Sequence, residues 1–284
     1  MDLAQVLAFA DHEKAVLISS SLFLRRKETF GKATHQTWAH RLSTVRVFAR
    51  WLHSLDPKHE VPPQSLIPGR TRRPHPYIYR EDEIQQIVQA AAELPSTNGI
   101  RGLTCSTLFG LIAVTGLRVS EALALNECDV DLDSGVLTVQ KGKFGKARLV
   151  PVADCVRAQL VAYAQERNRL LGSPSDAFFV TDHGARLTDC AARYNFAAAC
   201  QSIGLRAAQK YHKHGRGPRI HDLRHTFAVR TLLSWYRNKA NPSEEMIKLS
   251  TYLGHADPAN TYWYIEAVPE LLQLAARRAE EAEL

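Results

Sequence analysis

Between residues 56 and 76 the chain carries Pro57, Pro62, Pro63, Pro68, Pro74 and Pro76, with Gly69 among them. Proline lacks an amide hydrogen and fixes φ, so no continuous helix crosses this stretch. Apolar residues on either side recur at helical spacing, and the chain is therefore expected to form two helical bodies joined by an extended strap. The reading is a small helical domain over residues 1–60, a basic Pro-rich linker over 61–78, and a larger domain over 79–284.

In the first body, Trp38, Leu42, Val45, Phe48, Ala49 and Leu52 mark the apolar face of a helix between Thr34 and Leu55, with Arg41, Arg46 and Arg50 falling mostly between them. An earlier helix is expected near Leu3 to Leu24. Beyond the strap, Ile84, Ile87, Val88 and Ala91 share one helical face, and Leu103 to Val114 is nearly all apolar and must be buried. Gly135–Val139 (GVLTV) and Arg148–Val152 (RLVPV) are β-rich runs flanking the Gly- and Lys-rich turn Gln140–Ala147, which reads as a β-hairpin. Helical pattern then resumes, broken at Gly172–Pro174 and by the basic loop Lys210–Arg219. The fold class is thus mainly α (α+β): a small all-α lobe, and a mainly helical domain with a minor antiparallel sheet.

Composition adds three constraints. With 45% hydrophobic residues the chain is globular rather than disordered. No apolar run approaches the roughly 18 residues of a membrane span and no signal segment precedes one, so no membrane is involved and a bacterial cytoplasmic or nucleoid location is expected. The five cysteines are scattered without a CxxC pair, which suggests reduced thiols and no zinc site. The net charge of +7 is uneven: residues 1–76 hold 12 Lys+Arg against 6 Asp+Glu, leaving the remainder almost neutral. A basic module beside a neutral body suits a protein that grips phosphates with one part and does chemistry with another.

Phosphoryl transfer without a metal needs cations that hold the non-bridging oxygens, an acid for the leaving oxygen and an in-line nucleophile. Arginine suits the first task because its planar fork donates paired hydrogen bonds and stays charged. Four segments meet this requirement: Thr115–Glu121 (TGLRVSE), Lys141–Lys146 (KGKFGK), His221–His225 (HDLRH), and Leu253–His255 (LGH) with Tyr264 nine residues later. Each is weak alone, but together their order and spacing resemble the Arg, Lys, His-x-x-Arg, His and Tyr set of the tyrosine recombinases, the phage integrase family. The resemblance covers essentially the whole chain.

That resemblance implies that Arg118 and Arg224 clamp a scissile DNA phosphate and that Tyr264 attacks it to leave a 3′-phosphotyrosine. His221 then accepts the phenolic proton, Lys143 protonates the departing 5′ oxygen, His255 donates to the transition state, and Glu121 supports the site. Lys141 and Lys146 share the turn with Lys143, and the surrounding KFGKxR pattern favours Lys143. Tyr262 lies two residues before Tyr264, and spacing from His255 favours the latter. Arg41, Arg46, Arg50, Arg70, Arg72, Arg73, Lys141, Lys146, Lys213 and Arg216 are read as contacts to DNA phosphates. His221 and His225 stand at i and i+4, but HDLRH lacks the glutamate of HExxH, so His225 is read as structural and no metal is expected. Trp38, Trp51 and Trp263 are read as packing residues.

The family further implies inverted-repeat core sites on duplex DNA, a tetramer on two such sites, strand exchange through a Holliday junction, and neither ATP nor any other cofactor. Accessory DNA-bending proteins are compatible with this. With the first lobe starting near residue 1, no additional arm-site-binding domain is expected. The apolar Leu271, Leu272, Leu274 and Ala275 place a helix after the nucleophile that can dock on a neighbouring protomer or in cis. A type IB topoisomerase-like nicking and closing enzyme, or a catalytically silent DNA-binding regulator, stand as alternatives.

Overall fold

The computed structural model describes the chain apart from residues 1–2, 30–32, 68–74, 141–146, 173–174, 208–216, 239–241, 255–256, 258 and 283–284. Its internal contacts fall into two compact units, residues 1–74 and 75–284.

Among the described residues the first unit holds three α-helices, α1 (Leu3–His12), α2 (Ser20–Thr29) and α3 (His35–Leu55). Where one helix was expected near Leu3 to Leu24, two form. The amide of Ala15 donates to the carbonyl of Ala10 (2.8 Å) and that of Lys14 to Asp11 (3.0 Å), while Lys14 takes a left-handed φ of 52°. This bond pair closes a helix C-terminus with lysine in the place glycine usually fills. The α2 start is then fixed by Ser19 Oγ accepting from the Leu22 amide (3.2 Å) and by the Glu60 carboxylate accepting from the Ser20 amide (2.9 Å). Helix α3 is capped by Thr34, whose hydroxyl accepts from the Thr37 amide. Its expected face is the one buried: Trp38, Leu42, Val45 and Ala49 are buried, Trp38 meeting Phe23 edge to face at 6.2 Å. Trp51 does not pack as expected; it is more than half exposed.

The second unit runs α4 (Glu81–Ala92), α5 (Arg101–Thr115), α6 (Val119–Ala124), β1 (Val130–Asp131), β2 (Val136–Val139), β3 (Arg148–Pro151), α7 (Asp154–Leu171), α8 (Asp189–Ser202), α9 (Ile220–Arg237), α10 (Pro242–Leu253), α11 (Ala259–Ala267) and α12 (Pro269–Ala282). The strands form one antiparallel sheet in the order β1-β2-β3, with Leu137 opposite Val150 and Val139 opposite Arg148. The expected hairpin and the mainly helical fold with a minor sheet are both present. Helix α5 is the buried centre, packed against α4 and α9. A first core gathers Phe109, Phe178, Phe179, Phe196 and their neighbours around it, and a second joins α9, α10, α11 and α12 through Val229, Leu232, Leu249, Leu253, Tyr264 and Leu271. Leu271 is fully buried there, so α12 packs in cis, and Arg237 pairs with Glu270 at 2.8 Å across α9 and α12.

The chain entering α4 is pinned to α9. Tyr79 donates its amide to Thr226 Oγ1 and its hydroxyl to the Arg219 carbonyl, both at 3.0 Å, and Arg230 donates to the Tyr79 carbonyl at 3.1 Å. These bonds hold α9, whose N-terminal part carries His221 and Arg224. Among the described residues no helix is long and apolar enough to cross a membrane.

Candidate active site

Three guanidinium groups converge where α10 ends. Helix α5 stops at Gly116, whose φ of 63° is left-handed and whose missing side chain leaves room for Phe227 and Leu253: a Cβ there would lie 2.5 Å and 2.9 Å from them. Two residues on, Arg118 opens α6. Glu121, in the first turn of that helix, accepts from the Arg118 amide at 3.0 Å and from Arg118 Nη1 at 2.6 Å. Arg118 Nη2 also donates to the Gly254 carbonyl at 3.0 Å.

Arg224, on α9, is buried and donates Nη1 to the Gly116 carbonyl (2.6 Å) and Nη2 to the Leu253 carbonyl (2.8 Å). The third group was not read from the sequence as part of the site. Arg148, at the start of β3, donates Nη1 and Nη2 to the two oxygens of Glu121 at 3.1 and 2.8 Å, and Nε to the Tyr252 carbonyl at 2.9 Å. Its signal in the sequence is a lone arginine at the edge of an otherwise apolar strand, directly after the Lys-rich turn. The unsatisfied carbonyls and negative dipole end of α10 thus receive all three arginines.

The electrostatics follow from this crowding. Burial alone would raise the Glu121 carboxyl, but hydrogen bonds from Arg148 and Arg118 hold it at about 2. Burial, and then the charge of Arg118, lower Arg224 to about 10, which still leaves it charged at neutral pH. Three guanidiniums against one carboxylate leave an excess of two positive charges in a largely buried place. Such a site attracts an anion.

Beside the arginines lie two imidazoles and a phenol. Burial, followed by the charges of Arg224, Arg219, Arg193 and Arg118, lowers His221 to about 4, so the ring is neutral at pH 7. Its ring meets that of His225 edge on, with centroids 4.6 Å apart. His225 Nδ1 is hydrogen-bonded to the Tyr264 hydroxyl at 3.1 Å, and its ring also contacts Trp263. His225, read as structural, thus holds the Tyr264 hydroxyl; its placement four residues after His221 is the signal for that contact. Tyr264 is buried, while Tyr262 points out and is half exposed. Trp263 packs against the α9 to α12 core, as expected.

The structure thus brings together Arg118, Glu121, His221, Arg224 and Tyr264. Lys141, Lys143, Lys146 and His255 lie outside the described residues, as do Arg70, Arg72, Arg73, Lys213 and Arg216. In the first unit, Arg50 is exposed, Arg41 stacks over Trp38 at 4.7 Å, and Arg46 donates Nε and Nη2 to the carbonyls of Pro62 and Pro63 at 2.8 and 3.0 Å. Arg46 thereby ties the Pro-rich strap back to α3.

Comparison with known proteins gives a consistent result. The model of the phage integrase family matches residues 78–270. The putative integrase/recombinase y4rB of Sinorhizobium fredii is 40% identical over 278 residues, covering 96% of this chain and 87% of the relative. The tyrosine recombinase XerD of Caulobacter vibrioides is 33% identical over 240 residues, covering 83% and 72%. Among solved structures, XerH recombinase in a post-cleavage complex with a palindromic difH substrate superposes with a TM-score of 0.64 at 20% identity, over 93% of this chain and 70% of that one. A lambda integrase dimer bound to a COC′ core site gives 0.62 at 16% identity, over 92% and 87%. These two share the fold. With its guanidinium cluster, imidazole pair and phenol in one place, the chain belongs to the phage integrase family and is a tyrosine-type site-specific recombinase.

Proposed function

We propose that this recombinase cuts and rejoins duplex DNA through a 3′-phosphotyrosine on Tyr264. The observation that carries the reading is the clamp. Arg118 and Arg224 belong to different helices yet reach adjacent carbonyls, Gly254 and Leu253, so their forks flank one spot with positive charge to spare. A phosphodiester seated there has both non-bridging oxygens neutralised.

The phenolic oxygen of Tyr264 then attacks phosphorus and the P–O5′ bond breaks. The phenol's proton passes to neutral His221, with His225 orienting the hydroxyl, and the 5′ oxygen takes a proton from Lys143. His255 donates a hydrogen bond to a non-bridging oxygen of the pentacoordinate transition state. A phenol of pKa about 10 is a poor nucleophile unaided, and the base and cations supply the aid. Because the phosphotyrosine keeps the bond energy, attack by a 5′ hydroxyl from a second duplex reverses the step without ATP or metal. Exchange then proceeds through a Holliday junction between inverted-repeat core sites, on a tetramer assembled over two DNA duplexes in the bacterial cytoplasm. Arg41, Arg50, Arg70, Arg72, Arg73, Lys141, Lys146, Lys213 and Arg216 contact backbone phosphates, while Arg46, already engaged with the strap, contributes less. DNA-bending proteins assist where the site requires it.

The test uses nicked suicide duplexes taken from the DNA flanking its own gene. The wild-type protein should form a covalent protein–DNA adduct, Tyr264→Phe none, and Tyr262→Phe a normal amount. An adduct that survives Tyr264→Phe overturns the reading. Adduct without exchange between paired sites would point to a nicking and closing enzyme instead.

A further inference from the structure

We infer that Arg148 is a positioning residue for strand cleavage: by neutralising Glu121 it leaves the charges of Arg118 and Arg224 free for the phosphate. This rests on the reading of the arginine cluster as the phosphate clamp.

The geometry separates the three arginines by task. Arg148 spends Nε, Nη1 and Nη2 on protein acceptors and meets Glu121 fork to fork, the strongest arrangement between these groups. The Arg118 guanidinium meets the same carboxylate through Nη1 alone, its backbone amide supplying the residue's other bond to Glu121. Glu121 is only 4% exposed, Arg148 14% and Arg118 22%, so the carboxylate lies deepest and Arg118 has the most access to an incoming anion. The fold also reserves space for Arg148. Gly254 has a left-handed φ of 66°, and a Cβ on it would lie 2.8 Å from Arg148 Nη1 and 3.0 Å from Cζ. The glycine between α10 and the segment leading to the nucleophile helix is thus required by the arginine that crosses it.

Charge counting gives the consequence. Without Arg148, the buried carboxylate has Arg118 as its remaining close cation and draws that guanidinium inward, cutting the excess charge from two to one. Removing the carboxylate as well returns the excess to two. A residue that merely props up the strand predicts the opposite, because deleting both partners loses every bond that either deletion loses.

The probe is orthovanadate, a phosphate-like anion that needs no knowledge of the DNA site, titrated calorimetrically into the full-length protein and its variants. Arg148→Gln should weaken binding about tenfold, from one unit of charge lost close to the anion in a partly buried site. Arg148→Gln combined with Glu121→Gln should bind within about threefold of wild type. This second comparison holds even where Arg148→Gln alone does not fold, because the double variant carries no unpaired buried carboxylate. A double variant as weak as Arg148→Gln, or about tenfold weaker than wild type, overturns the proposal. Arg118→Gln separates the two levels of argument. If it leaves vanadate affinity unchanged, the clamp itself is misread; if it weakens binding while Arg148→Gln does not, only the role given to Arg148 fails.

Discussion

Replacing Gly116 with alanine tests whether the end of α5 is shaped for the clamp or merely for a turn. Two penalties apply. A left-handed φ of 63° costs a non-glycine residue about 1 kcal/mol. The new Cβ would also sit 2.5 Å from Phe227 Cδ1 and 2.9 Å from Leu253 Cδ2, with Leu253 fully buried. Relieving such overpacking costs a further ~1–3 kcal/mol. The sum, ~2–4 kcal/mol, is a large part of the 5–15 kcal/mol that holds a typical domain together. Gly204→Ala isolates the first penalty, because Gly204 has a similar φ of 75° and no atom within 4 Å of the added carbon. Urea unfolding followed through Trp235 and Trp263, which pack in the α9 to α12 core, should show a loss of about 1 kcal/mol for Gly204→Ala and two to four times that for Gly116→Ala. The Gly116 carbonyl also accepts from Arg224 Nη1, so adduct formation should fall further than the folded fraction does. Equal losses for the two variants would refute the packing argument.

Two further outcomes follow from the geometry. His221 sits at about 4 in the fold against 6.5 for a free imidazole. The unfolded chain therefore takes up its proton first as pH falls, and stability present above pH 6.5 is lost on the way to pH 4. Between pH 7 and pH 5 this amounts to about 2 kcal/mol, which His221→Gln should remove from urea melts at the two pH values; an unchanged pH dependence would contradict the burial of a neutral ring. In the first unit, Arg46→Ala should lower the stability of that unit by about 1–2 kcal/mol through the lost Pro62 and Pro63 bonds, whereas Arg50→Ala should lower only DNA affinity and its salt slope. The reverse pattern in melting and salt-titration experiments would reassign the two.

The two kinds of information in this fold differ in how far side-chain pattern reveals them. The buried face of α3 follows from spacing, because Trp38, Leu42, Val45 and Ala49 recur with the helical period and no competing constraint acts on them. The break between α1 and α2 does not, since it depends on Lys14 adopting a glycine-like conformation and on Glu60, forty residues away, capping α2. The site divides the same way. Arg118, Glu121, His221, Arg224 and Tyr264 stand out because their chemistry is unusual in combination. What holds them is largely backbone: the carbonyls of Gly116, Leu253 and Gly254 are present at every residue of any chain, and only the fold selects which ones face a guanidinium. Arg148 was missed for a related reason, as a strand-edge arginine gives no hint that its carboxylate partner lies 27 residues earlier.

That the acceptors belong to the end of α10 has a mechanical consequence. The carbonyls of Tyr252, Leu253 and Gly254 fix Arg148, Arg224 and Arg118 respectively, and the same chain continues within a few residues into α11, which bears Tyr264. Tyr264 and the carbonyls that hold the guanidinium cluster are therefore close neighbours along the chain. Burial of Tyr264 among Val229, Leu249 and Leu271 ties α11 back to α9, α10 and α12. The bond between the Tyr264 hydroxyl and His225 Nδ1 adds a polar tie from α11 to α9. The carbonyls that hold the guanidiniums and the core that holds the phenol thus both draw on α10, so a substitution that disrupts the end of this helix should disturb both.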